Sequence, residues 1–322
     1  MASTACCAAG VPVINEYNEL GKFETINDMD CYFVGTGDKA VVVAYDIFGF
    51  NFKQVLQVCD RLAAAGFTVC CPDFFRGAPW PMEKFPPGPE DNLMEWIMSA
   101  GSFDKVNADI CKVMDLLKSR GATKFGALGF CWGGFITIQL AASERFSAAG
   151  CVHAAFFSQD KELAENVMCP LIVLPAEGDP MESVKEVLDT KPFASKCVYK
   201  RFDDQIHGFV AARGDWTKPE VAAAAGEAIG LLANFFNANM CAAALECFLK
   251  RENSLELHDL PGRPVTIRHE LYFLVHKKDG AQLRALRKYE WAKQEYLNKT
   301  PETRTAIRGM VFAVQTGAGL VL

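Results

Sequence analysis

The chain has 322 residues, with 33 Lys and Arg against 39 Asp and Glu and a net charge of −6. An acidic balance with a pI near 5.5 gives no support to a nucleic-acid role, while a hydrophobic share of 50% suits a globular protein with a buried sheet. No run of 18 or more apolar residues occurs, so no membrane span is expected, and residues 1–7 lack the basic and apolar regions of a secretory signal.

In chain order, the apolar run at 40–47 predicts the first strand, followed by a helix at 52–66 and a strand at 67–72. The proline-rich stretch from Pro79 to Gly88 reads as a loop. Asp91 to Ala100 reads as a short lid-like helix, whose Trp96 either lines a pocket or anchors the helix in the core. A helix at 103–120, a strand at 124–130 and a helix at 133–143 come next. Strands follow at 147–152, 170–175 and 196–202, with helices at 181–190 and 217–238. Alternation of this kind predicts an α/β fold: a mostly parallel central sheet with helices on both faces.

The 13 cysteines form no Cys-x-x-Cys pair, and Cys70, Cys71, Cys151 and Cys197 sit within the apolar strands. That usage fits reduced, buried thiols in a cytoplasmic protein rather than a disulfide framework or a zinc site. One cysteine stands apart. In Gly129-Phe130-Cys131-Trp132-Gly133 it lies between a predicted strand and a predicted helix, the strand–turn–helix setting of the Gly-x-Ser-x-Gly nucleophile elbow. The flanking glycines let the chain turn sharply, and the thiol is left at a helix N-terminus, where N–H groups and the helix dipole favour a thiolate and a developing oxyanion. With 25 glycines and 13 cysteines, a Gly-x-Cys-x-Gly arises by chance in about 8% of such chains. The motif therefore needs partners.

They follow in the order nucleophile, acid, histidine. The predicted strand at 170–175 ends in Glu177-Gly178-Asp179, and the strand at 196–202 leads to His207-Gly208-Phe209. All three groups then fall at the carboxyl edge of a parallel sheet, where such sheets bind ligands. Cys131 would attack an acyl carbon, His207 would carry the proton, and Asp179 would fix the imidazole tautomer. Glu177 is the rival acid; Asp179 is preferred because it follows the glycine, at the turn itself. His153, just after the strand at 147–152, either faces the pocket or is a satisfied buried histidine.

The segments Val41 to Gly49, Pro72 to Gly77, Gly129 to Gly134, Glu177 to Asp179 and His207 to Phe209 together resemble the dienelactone hydrolase family of α/β-hydrolases, from near the N-terminus to about Phe236. The resemblance implies a Cys131–Asp179–His207 triad and an oxyanion hole from the backbone N–H groups of Ile47 and Trp132. It implies hydrolysis of a lactone or activated ester through a cysteine thioester, and no cofactor. Where the bacterial prototype has a glutamate contacting the resting cysteine, this chain has Asp46. Arg76 and Arg213 match, the second with altered spacing, two arginines that hold a substrate carboxylate. Asp46, Arg76 and Arg213 are thus the substrate-binding candidates. Two alternatives stand beside this reading. One is a non-catalytic small-molecule-binding protein that keeps the fold. The other is a glucanase-like hydrolase, a label some plant relatives carry.

Residues 1–238 form the expected hydrolase domain. Residues 239–322 are a basic extension, with 13 Lys and Arg against 9 Asp and Glu, whereas the rest has 20 against 30. Its His258, His269 and His276 lack cysteine or carboxylate partners in any zinc spacing, so no metal is expected. A poorly packed tail and a partner-binding appendage are its two readings.

Overall fold

A computed structural model describes residues 11–240. The expected extension lies outside these residues, apart from Asn239 and Met240.

Eight strands form one sheet: β1 (Lys22–Ile26), β2 (Met29–Val34), β3 (Lys39–Ala44), β4 (Thr68–Pro72), β5 (Lys124–Phe130), β6 (Ala148–Val152), β7 (Leu171–Leu174) and β8 (Val198–Tyr199). Their order is β1-β2-β4-β3-β5-β6-β7-β8. β1 pairs antiparallel with β2, and β2 antiparallel with β4; every other pair is parallel. The central strands are unbroken apolar runs. In β3, Ala40-Val41-Val42-Val43-Ala44 is buried throughout, as both faces are covered.

Among the described residues, seven α-helices connect and cover the strands: α1 (Lys53–Ala64), α2 (Leu93–Ser99), α3 (Phe103–Ser119), α4 (Trp132–Leu140), α5 (Asp160–Glu165), α6 (Glu182–Leu188) and α7 (Pro219–Asn239). α1 buries Val55, Leu56, Val58, Cys59 and Leu62, an apolar stripe at helical spacing. α7 starts at Pro219, a residue pre-set for the first helical position. It is the described helix long and apolar enough to cross a membrane. Its apolar side lies on the sheet instead. A Cβ on Gly126 would stand 2.9 Å from the Phe236 ring, and one on Gly150 would stand 3.0 Å from Leu232. These two glycines make room for α7.

The hairpin of β1 and β2 goes beyond the sequence reading, which began the sheet at 40. β1 carries four exposed residues of five and sits at the sheet edge, so it lacks the apolar alternation that marks a strand. The strand predicted at 196–202 contracts to Val198–Tyr199, with an isolated bridge from Ala176 to Phe202. A one-turn helix at Ala194–Lys196 takes its beginning. The nine described cysteines form no disulfide, and burial pushes the thiols of Cys70, Cys71 and Cys151 well above the usual range, which keeps them protonated.

Candidate active site

The loops at the carboxyl ends of β3, β5, β7 and β8 carry the site. Cys131 directly follows β5 and caps α4 in a left-handed conformation, with φ +53° and ψ −115°. A non-glycine residue held there is strained, and the neighbours explain what holds it. A Cβ on Gly129 would collide with the Gly133 carbonyl, and one on Gly133 would collide with the Ala44 carbonyl at the end of β3. Only glycine lets α4 start this close to the sheet. Backbone bonds then fix the turn: Cys131 N–H donates to Val152 (3.2 Å), Gly133 N–H to Tyr45 (3.1 Å), and Ala155 N–H to the Cys131 carbonyl (3.0 Å). Trp132 is fully buried beneath the elbow. Its ring lies 4.6 Å from Phe75 and 5.9 Å from Tyr45, and its Nε1–H donates to Gly101 (3.1 Å).

Asp179 and His207 meet across the β7 and β8 loops. Asp179 Oδ1 lies 2.6 Å from His207 Nδ1, and both side chains are buried. Asp179 Oδ2 accepts the Ala176 N–H at 2.9 Å. Arg201 supports the turn from behind, donating to the carbonyls of Ala176 (3.1 Å) and Asp179 (2.8 Å) and pairing with Glu182. Glu177, the rival acid, is exposed. With Nδ1 committed to a carboxylate, Nε2 is the nitrogen that can exchange a proton with a neighbour.

Cys131 and His207 line one cavity together with Asp46, Ile47, Phe48, Phe85, Gly208 and Arg213. Its volume is about 10 Å³, space for roughly one water. Phe85, from the proline-rich loop, closes it, with its ring 5.1 Å from Phe48 and 5.0 Å from the Arg213 guanidinium. Trp132 opens α4, where the first N–H groups have no intrahelical acceptor. Ile47 N–H finds no acceptor among the described residues, while its carbonyl holds Trp80 N–H at 2.8 Å. Asp46 is buried, and desolvation raises its carboxyl to about 6 against the pull of the Phe48 and Ala212 N–H groups, His207 and Arg213.

Arg76 does not reach the cavity. Its guanidinium is held 2.5 Å from Asp109 and 3.4 Å from Asp28. An arginine committed to two carboxylates is a poor receptor for a third. Trp96 likewise packs on Phe75 (4.8 Å) and Trp80 (5.5 Å) and does not line the cavity. His153 is fully buried with its ring 5.2 Å from that of His207 and 5.7 Å from Phe130. Neither ring nitrogen has a hydrogen-bond partner among the described residues. The histidine is buried, as one of its two readings had it, and packs among Phe130, His207 and Phe209. Sequence reasoning missed Phe85 and Arg201. A lone aromatic in a proline-rich loop and an arginine at a strand end carry no signal of their own. Among the described residues, no group of three or more His, Cys, Asp or Glu could hold a metal.

The sheet, the sharp turn after β5 and the buried acid–histidine pair define an α/β-hydrolase. The dienelactone hydrolase family model matches residues 30–240, and the chain belongs to that family. It is 32% identical over 233 residues to a carboxymethylenebutenolidase homolog of Xenopus tropicalis, covering 68% of this chain and 92% of the relative. It is 30% identical to an uncharacterized AIM2 family protein of Schizosaccharomyces pombe, over 74% of this chain and all of the relative. A Zea mays protein named endo-1,3;1,4-beta-D-glucanase is 29% identical over 47% of this chain and 46% of its own length. Among solved structures, a dienelactone hydrolase-like promiscuous phosphotriesterase from metagenomic libraries shares the fold with a TM-score of 0.51 at 16% identity, covering 68% of this chain and 98% of that one. As a member of the family, the chain is a carboxylic ester hydrolase acting on small molecules.

Proposed function

We propose that the enzyme opens a lactone or cleaves an activated ester through a thioester on Cys131, with Asp179 and His207 completing a triad. The observation that carries this is the meeting of His207 Nδ1 with buried Asp179 at 2.6 Å, on a histidine that lines the same cavity as the elbow cysteine. Nε2 takes the thiol proton as sulfur attacks the carbonyl carbon. The oxyanion receives the N–H groups of Ile47 and Trp132, which mirrors the usual donor pair of this fold. The C–O bond breaks, the departing alkoxide takes the proton from Nε2, and water aided by His207 then hydrolyses the thioester.

Arg213 supplies positive charge inside the cavity, so a substrate with a carboxylate near the scissile bond suits it. A glucanase reading lacks support. Glycoside hydrolysis uses two carboxylates flanking the bond, whereas the cavity wall offers Asp46, and Asp179 is committed to His207. The test is turnover of a dienelactone and of an aryl acetate by wild type and Cys131→Ala. Turnover of the dienelactone that vanishes in the variant is expected. Cys131-dependent turnover of the acetate alone would remove the carboxylate pocket and keep the mechanism. Activity retained by Cys131→Ala would sink the assignment, and a wild type inactive on both would favour a binding protein that keeps the fold.

A further inference from the structure

Asp46 occupies the place of the glutamate that, in the resembled prototype, contacts the resting cysteine. Its own contacts point elsewhere. Oδ1 accepts the N–H of Phe48 at 2.9 Å, closing a tight side-chain turn over Ile47. Oδ2 accepts the N–H of Ala212 at 3.0 Å, which lies 166 residues further along the chain. Each oxygen thus accepts a main-chain donor, the two donors lying in different loops. One loop carries the Ile47 oxyanion donor. The other runs from His207 to Arg213, and both of those residues line the cavity.

The rest of that second loop is anchored on its far side. Gln54 Nε2 donates to Gly214 (2.9 Å) and to Val13 (2.8 Å), Asn15 Nδ2 donates to Gly214 (3.0 Å), and Val13 N–H donates to the Ala212 carbonyl (2.8 Å). The Asp46–Ala212 bond ties this loop to the oxyanion loop.

We infer that Asp46 is a positioning residue whose carboxylate clamps the oxyanion loop to the His207–Arg213 loop and so sets where Arg213 stands relative to the Cys131 nucleophile. The residue type fits the task. Two converging N–H donors need an acceptor at both ends, which a carboxylate supplies and an amide does not. The short aspartate side chain closes the local turn onto Phe48 N–H. A glutamate, one methylene longer, would carry its carboxylate past that donor. The two N–H bonds, His207 and the Arg213 cation offset the burial of the charge only in part, which leaves the carboxyl raised to about 6 and ionised at neutral pH.

The substrate side of this inference rests on the ester-hydrolase reading; the clamp itself does not. Two readouts keep them apart. Hydrogen exchange of the full chain is compared for wild type, Asp46→Ala and Asp46→Asn. Exchange faster by about tenfold or more is expected in Asp46→Ala at 46–50 and at 208–214, with 124–130 unchanged, since each lost bond exposes a buried N–H. In Asp46→Asn, one of the two segments should loosen. Unchanged exchange in both segments would overturn the clamp, whether or not any ester is turned over.

On an aryl ester carrying a carboxylate, Asp46→Ala should raise KM about tenfold and also lower kcat, since the Ile47 donor is loosened; on a neutral aryl acetate kcat should fall by the same factor while KM hardly moves. In an Arg213→Ala background the same change should cost no further KM, as expected for coupled residues. Additive losses would overturn the link to Arg213. Full activity restored by Asp46→Glu while exchange at 208–214 stays fast would make Asp46 the thiol's partner and not a clamp.

Discussion

Gly133→Ala adds one methyl group where α4 meets the sheet. That Cβ would overlap the Ala44 carbonyl oxygen and stand 2.5 Å from the Tyr45 carbonyl oxygen, whereas real Cβ atoms essentially never come within 3.0 Å of another heavy atom. Both obstacles are main chain, in or just beyond β3, so the first turn of α4 must retreat by roughly 1 Å in a close-packed interior. Overpacking of this kind costs about 1–3 kcal/mol. The retreat also stretches the 3.1 Å bond from Gly133 N–H to Tyr45, worth about 1 kcal/mol more. A total near 3 kcal/mol lowers the midpoint of thermal unfolding by about 6–12 °C in a domain of this size. The same retreat carries Cys131 and the Trp132 N–H away from the cavity, and a misplacement near 1 Å costs about 100-fold in turnover. Gly230→Ala is the control. Gly230 is exposed in α7 with nothing within 4 Å of an added Cβ, so that variant should gain about 0.5–1 kcal/mol and keep its activity. Circular dichroism melts and ester kinetics read both. A Gly133→Ala protein that melts within 2 °C of wild type and turns over normally would show that α4 accommodates the methyl group without moving the elbow.

Burial, aided by His207 and Arg213, holds the His153 imidazole well below its usual 6.5. Its neutral form therefore stabilises the fold fully above 6.5, and that contribution is lost as the pH falls and the unfolded chain takes up the proton, by about 1.4 kcal/mol per unit. His153→Phe should gain on wild type by roughly 2 kcal/mol between pH 7 and pH 5 in urea unfolding; an equal difference at both values contradicts this. Arg76→Gln should leave KM for an anionic ester unchanged while costing about 1 kcal/mol of stability, and Arg213→Gln should raise that KM about tenfold; the reverse pattern would return Arg76 to the substrate. Phe85→Ala should raise the preference for a bulky acyl group over acetyl by about tenfold at a stability cost of about 3 kcal/mol, and an unchanged preference would show that Phe85 does not cap the cavity.

The parts of the molecule legible in the sequence are those where local chemistry repeats a strong pattern. β3 and β5 are continuous apolar runs, and α1, α3 and α7 lie within two residues of the expected bounds at each end. Gly129 and Gly133 announce the turn because a Cβ at either would run into main-chain atoms. The hidden parts are set by tertiary partners. β1 is a strand because β2 accepts it, not because Lys22 to Ile26 prefer to be one. Arg76 and Arg213 look alike as loop arginines; Asp109 and Asp28 claim the first, and the cavity receives the second. Asp46 reads as a shortened glutamate until Ala212, distant in sequence, is found on its second oxygen.

The most direct test of the nucleophile is rapid-quench mass spectrometry of the enzyme mixed with an aryl acetate, followed by peptide mapping. Nucleophilic catalysis by the elbow cysteine predicts an acetyl group on Cys131, released by hydroxylamine and absent from Cys131→Ala. Steady turnover with the acyl group on another residue, or with Cys131 never acylated, would contradict it.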